Sequence, residues 1–262
     1  MSSIKDIIRN WQTFFPFLHD LRFDLQFAWR KIKGQTHDSD FELLSQISVP
    51  LGMDLLDVGA NRGEALQSLL MALKTDNNQF YSFEPNEIIF QKLKSRYGKH
   101  VGVNLRNYGL GHEKGSFQLY IPFYRKWMFD GLASFIKEEV ESWLPTFLWN
   151  FKPENHYLKE TICQIETLDS QKLNPFFIKL DVQGFEQQVL DGGKKTLEVS
   201  KPILLIESIK HETEEFLSVM GYQFFHYQNR KLHLGNGLLN TYCIPQNRIN
   251  DLMHLFSESP II

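Results

Sequence analysis

Several common protein classes are excluded by what this chain lacks. It has 2 cysteines, Cys163 and Cys243, too few and too far apart for a disulfide framework or a thiolate metal cluster. That usage fits a reducing, intracellular setting, so the expected localisation is cytoplasmic. No run of 18 apolar residues occurs, and no membrane-spanning helix is expected. No secretion signal is expected either, because Lys5, Asp6 and Arg9 interrupt the first apolar stretch. With 16 glycines and 10 prolines in 262 residues, the chain is neither collagen-like nor low in complexity. It also lacks a charge excess: the net value of −3 gives no general attraction to nucleic acid. Internal repeats are absent. What remains is ordinary globular composition, 42% hydrophobic, enough for one large domain with additions.

Two segments are expected, a helical arm over residues 1–48 and a main domain over 49–262. In the arm Ile4, Ile7, Ile8, Trp11, Phe15 and Leu18 recur at helical spacing, and Leu21, Leu25, Trp29 and Ile32 continue the stripe. Pro16 should break or bend the helix. Residues 1–33 carry a net +3 against −6 for the remainder. Such a basic amphipathic arm suits an anionic membrane surface, with packing on the domain or on a second subunit as the plainer alternative.

From residue 53 short apolar runs alternate with helical stretches. Residues 53–58, 79–83, 103–108, 176–180 and 202–206 read as strands; 64–74, 88–96 and 185–199 read as helices. This is the pattern of an α/β fold with a parallel sheet and right-handed crossovers. A hairpin-like tail comes next, at 222–227, 231–234 and 240–244. Residues 123–157 break the alternation and hold ten aromatics, against 14% aromatics overall. An insert this long suits a lid or binding element, or a small satellite core.

The most informative stretch is Asp57-Val58-Gly59-Ala60-Asn61-Arg62-Gly63. An apolar strand ends in an acid, two glycines four apart, and then an amphipathic helix. Glycine permits the sharp turn and a close ligand approach, and the helix start offers unpaired N–H groups. Glu84 ends the next strand, 21 residues after Gly63. There a carboxylate can accept hydrogen bonds from both ribose hydroxyls. A nucleoside-containing ligand across these two strand ends is the natural reading. The glycine spacing departs from the Gly-x-Gly-x-x-Gly dinucleotide fingerprint.

With Phe83-Glu84-Pro85 and Asn107-Tyr108-Gly109-Leu110-Gly111, this motif resembles the successive S-adenosylmethionine-binding motifs of FkbM-type methyltransferases. Thr167-Leu168-Asp169, Ile178-Lys179-Leu180-Asp181-Val182-Gln183-Gly184-Phe185-Glu186, Val189-Leu190-Asp191-Gly192, Glu207 and Gly221-Tyr222 succeed one another in that family's order. The resemblance covers roughly residues 53–245. It departs at Gln183, where many members carry Glu, and at Tyr108-Gly109. It implies a class I methyltransferase fold, a Rossmann-like, mostly parallel seven-stranded sheet with one antiparallel strand. It also implies S-adenosylmethionine as cofactor and O-methylation of a sugar, glycan or polyketide-type scaffold. Carried over, Gly59, Asn61 and Gly63 would flank the methionine moiety, with Asp57 near its amino group. Glu84 would hold the ribose, and Asn107 would lie near the adenine. Ser134 matches a recurring family serine.

A hydroxyl acceptor needs a base or a metal to assist it. Asp181, at the carboxyl end of a central strand, is the first candidate base, with the alternative of capping the next helix. Glu207 ends the neighbouring strand, and His211 lies four residues later. The three could share a divalent cation, although no ligand-spacing motif supports a metal. Lys179 reads as ion-paired or surface. Two other functions stay open: a nicotinamide-dependent oxidoreductase, and a non-catalytic binding module on the same fold. A homo-oligomer is compatible with the sequence.

Overall fold

Phe176, Phe177, Ile178 and Leu180 make a run apolar on both faces, which is stable only between neighbouring strands with helices above and below. The computed structural model describes residues 13–73, 77–148 and 151–257. Its strands are β1 (Asp54–Val58), β2 (Phe80–Phe83), β3 (Val103–Arg106), β4 (Gly109–Leu110), β5 (Gly115–Tyr124), β6 (Trp127–Met128), β7 (His156–Glu166), β8 (Pro175–Leu180), β9 (Ile203–Glu207), β10 (Tyr222–Gln228), β11 (Lys231–Leu234) and β12 (Asn240–Pro245). Its α-helices are α1 (Pro16–Lys33), α2 (Glu64–Ala72), α3 (Glu87–Tyr97), α4 (Lys137–Phe147), α5 (Glu186–Asp191), α6 (Lys194–Ser200), α7 (His211–Val219) and α8 (Gln246–Ile249).

The main sheet runs β11-β10-β12-β9-β8-β1-β2-β3. The five strands from β9 to β3 are parallel, while β12 lies antiparallel between β9 and β10. The expected seven strands are therefore joined by an eighth, β11. It forms a hairpin with β10 through Asn229 and Arg230, both at positive φ. Alternate residues feed opposite cores. Leu55, Phe177 and Leu205 pack on one face, and Leu56, Ile178, Leu204 and Ile206 on the other.

Two sequence expectations change. The expected strand at 103–108 ends at Arg106, and Gly109–Leu110 joins a second sheet of order β4-β7-β5-β6. The expected helix at 185–199 divides at Gly192-Gly193. A Cβ on Gly192 would lie 2.0 Å from the Gly111 carbonyl oxygen, so this contact admits only glycine. The aromatic insert sits between the long partners β5 and β7 and overlaps their ends. Part of it is a satellite core, with Tyr124 against Leu148 and Phe151; Trp149 lies outside the described residues.

The first twelve residues of the arm also lie outside the described residues. Pro16 opens α1 at its first turn, where a missing N–H does no harm. The remainder of the arm is fixed to the domain. Phe41, Leu43 and Leu44 enter the main core, and Tyr242 donates to the Asp40 carbonyl at 2.6 Å. Arg62 joins three elements: it donates to Asp20 of α1 at 2.6 Å and to Asp130 of the insert, and stacks 4.6 Å from the Phe23 ring centroid. The Arg62 and Asp130 side chains are 4% and 8% exposed. Arg62→Ala leaves a buried carboxylate without its cation. It should destabilise the chain by about 3–5 kcal/mol in urea denaturation.

Candidate functional site

The turn after β1 is held against β2, the Gly59 and Ala60 amides both donating to the Phe83 carbonyl at 3.0 Å. Gly59 has φ +85°, and a Cβ there would lie 1.8 Å from the Asp181 carbonyl oxygen. Gly63, at φ +91°, packs against the Tyr97 ring, so its absent side chain serves the contact between α2 and α3. Glu84 is buried, its two oxygens accepting from the Asn61 and Asn86 amides at 2.8 Å each. Each oxygen keeps a lone pair for a further donor. Gly59, Asn61 and Glu84 border a narrow cleft of about 70 Å³, closed on its far side by Asp130, Gly131 and Phe135 of the insert.

The cleft adjoins a wider cavity of about 600 Å³ bordered by Glu139, Trp143, Gln183, Glu207 and Lys210. Asp181 borders both. Strand register explains the meeting of Asp181 and Glu207, because Leu180 pairs with Ile206 and the next residues emerge side by side. Asn240 pairs with Glu207 from the other side. Beneath them lies Lys179, two residues before Asp181 on the same face of β8. Its buried ammonium donates to Asn240 Oδ1 at 3.0 Å and stands 4.0 Å from Glu207. The ion-paired reading of Lys179 holds, and the surface reading does not.

The carboxyls respond differently to this setting. Burial and the hydrogen bond with Asp181 push Glu207 up to about 8. Burial alone would raise Asp181 too, but Lys179 and hydrogen bonds with Glu207 and Gln183 hold it below the usual range. The two carboxyls are thus pushed in opposite directions, Asp181 toward its charged form and Glu207 toward its neutral one. Burial also pushes Asp57 and Glu84 up to about 7. Asp57 is buried behind the cleft, and among the described residues neither of its oxygens accepts a hydrogen bond.

Four expected site residues border neither cavity: Asp57 is buried behind the cleft, Gly63 packs on Tyr97, and Asn107 and His211 fall elsewhere. Asn107 borders neither cavity; it is exposed and donates to Glu87, because the chain leaves the main sheet after Arg106. His211 opens α7 with its side chain 84% exposed and 3.3 Å from Glu215, away from Asp181 and Glu207. The expected sharing of a cation by those three residues is not formed. No group of three or more His, Cys, Asp or Glu is placed for a metal among the described residues. Sequence reasoning missed the support around Asp181. The Ser134 hydroxyl donates to the Gln183 carbonyl at 2.7 Å, and Glu186 accepts from the Val182 and Gly184 amides. Only the family serine at Ser134 hinted at this. Asp130, Glu139 and Trp143 carried no local signal beyond the aromatic excess of the insert.

These environments set two stability predictions. Gly59→Ala should cost about 3 kcal/mol or more, whereas Gly34→Ala, also at positive φ but with nothing within 4 Å, should cost about 1 kcal/mol. Urea denaturation of both variants checks the contrast. The raised carboxyls also set a pH dependence: the folded chain keeps protons that the unfolded chain releases near pH 4. Their stabilisation is complete below about pH 4 and lost as pH rises to about 8, through the folded values near 7 and 8. Asp40, raised to about 6 chiefly by burial, adds to this fall, while His19, pushed down to about 4 chiefly by burial, and His156, also lowered by burial, act in the opposite sense. The urea midpoint should fall between about pH 5 and about pH 8, and Asp57→Asn should flatten that fall.

Comparison with known proteins gives one extended match, to the methyltransferase FkbM domain over residues 57–232. Curated proteins give no match. Among solved structures, a methyltransferase FkbM from Methylobacillus flagellatus is similar at 16% identity and a TM-score of 0.48. The match covers 91% of this chain but 60% of that one, so this chain spans under two thirds of that protein's length. A precorrin-6y C5,15-methyltransferase from Geobacter metallireducens has 13% identity and a TM-score of 0.40, with coverage of 78% and 86%. An S-adenosylmethionine-dependent O-methyltransferase from Thermotoga maritima has 9% identity and a TM-score of 0.37, with coverage of 80% and 66%. The family domain spans about two thirds of the sequence and contains both strand ends, the Gly59 turn and the Asp181–Glu207 pair: the chain belongs to the FkbM methyltransferase family.

Proposed function

We propose that this chain transfers a methyl group from S-adenosylmethionine to a hydroxyl of a sugar, glycan or polyketide-type acceptor. One observation carries the reading: Asp181, beside Glu207 at the ends of neighbouring parallel strands, borders both the narrow cleft and the wider cavity. The residues present fit the cofactor. Gly59 and Asn61 line the cleft beside Glu84, which has lone pairs for ribose hydroxyls, and the buried Asp57 carboxyl behind it suits a nearby ammonium. When bound, the cofactor would supply an electrophilic methyl carbon, its C–S bond breaking to leave S-adenosylhomocysteine. The cleft of about 70 Å³ is narrower than a nucleoside, and its insert wall at Asp130–Phe135 is the side that must give.

On the acceptor side, Asp181 accepts the hydroxyl proton as the oxygen becomes a nucleophile. Lys179 and the Gln183 amide favour the charged form of Asp181, the form that can take that proton. Trp143 lines the wider cavity, an aromatic residue of the kind that sugar sites use. Lys210 and Glu139, paired at 2.6 Å, offer charged groups to an acceptor's other hydroxyls. Holding the acceptor in line is worth several kcal/mol of the barrier.

A labelled-methyl screen over hydroxylated sugars, glycans and polyketides tests the acceptor class. Asp181→Asn should lower turnover by about 10²–10⁴-fold while S-adenosylhomocysteine still binds, as read by calorimetry. Unchanged turnover would remove Asp181 as the base. Heat with NAD and none with S-adenosylhomocysteine would favour the oxidoreductase, and heat with neither would favour a non-catalytic module.

A further inference from the structure

We propose that the outer face of α1 docks on an anionic lipid surface. Phe17, Leu21, Leu25, Trp29 and Ile32 are 64%, 52%, 62%, 59% and 80% exposed. At about 100° per residue they fall within an arc of about 120° on one side of the helix. The opposite side is spoken for: Phe27 is buried, and both acids of the helix, Asp20 toward the domain and Asp24 at the margin of the stripe, are ion-paired with domain residues. Asp20 pairs with Arg62 and Lys92, and Asp24 with Arg96. Basic charge at the margins of the apolar stripe comes from Lys31 and Lys33. Lys33 Nζ lies 5.0 Å from the Trp29 ring centroid, an aromatic–basic pair suited to the boundary between headgroups and acyl chains.

Size and charge argue against a second copy as the occupant. A helix of 18 residues is about 27 Å long and about 10 Å wide, a footprint far below the roughly 800 Å² per partner of a stable dimer. Two copies joined through this face would also set basic margins against each other. An anionic bilayer supplies an apolar layer and the opposite charge, and partial insertion of one helix face is enough to bind it.

The test uses the full chain in co-sedimentation with vesicles of phosphatidylcholine and phosphatidylglycerol mixed about two to one, and with phosphatidylcholine alone. Binding should require the anionic lipid and weaken as salt shortens the screening length. Leu21→Glu with Leu25→Glu should reduce partitioning about tenfold or more with an unchanged thermal midpoint. If that double variant melts early, Trp29→Ser serves as the second probe. Equal binding to neutral vesicles, binding retained by variants that fold, or no binding to anionic vesicles would overturn the proposal. So would a monomer–dimer equilibrium broken by the same variants in the absence of lipid binding.

Discussion

One buried ammonium orders the charges of the candidate site. Lys179 stands 4.0 Å from Glu207, and it is the strongest charge acting on Asp181 and on Asp57. At an effective dielectric of about 20, a pair at about 4 Å gains about 4 kcal/mol, comparable with the several kcal/mol lost by burying one ion. One ammonium can therefore keep about one neighbouring carboxylate charged. Asp181 is that carboxylate, while burial leaves Asp57 and Glu207 protonated to higher pH. Asn240 holds Lys179 in place and donates in turn to Asp38 and Asp40 at 2.9 Å each. The segment after α1 thus buttresses the site from below.

Gln183 gains meaning from the same balance. As a departure from the family pattern it removes an acid from the site's edge. Its side-chain amide donates to Asp181 Oδ1 at 2.7 Å, and the hydrogen bond favours the charged form. A glutamate at the same place would add a negative charge beside Asp181 and compete with it for the Lys179 ammonium. The loop that carries Gln183 is unusual backbone, with positive φ at Gln183 and Gly184. Ser134 and Glu186 fasten it from the insert and from α5.

The parallel core is legible because burial on both faces leaves apolar runs such as 176–180, and strand ends are marked by Asp57, Pro85 and Gly184. Neighbouring parallel strands bring residues at equivalent ends together, which is why Asp181 and Glu207 can be paired from sequence. Asn107 and His211 depart from expectation for a shared reason. Each expectation rests on distance along the chain from a strand end, whereas direction is set by the segment the chain enters next. After Arg106 the chain turns into a second sheet, and at α7 the first residue faces solvent. The second sheet itself is hidden in the sequence, since β5 and β7 are half exposed and mix polar with aromatic residues rather than forming apolar runs.

The insert's place is fixed by Arg62, a residue of the glycine motif that reads in sequence as a mere loop position. Its guanidinium reaches Asp130 on one side and Asp20 on the other. The Gly59 turn, the far wall of the cleft and helix α1 are therefore joined through one side chain. Opening the cleft by moving Asp130–Phe135 strains or breaks a buried ion pair whose other end is anchored to α1. The inner face of α1 is thus tied to the cleft while its outer face is apolar. A contact that shifts α1 therefore reaches the walls of the narrow cleft through Arg62 and also through His19, whose ring lies 4.2 Å from Trp127 of the insert.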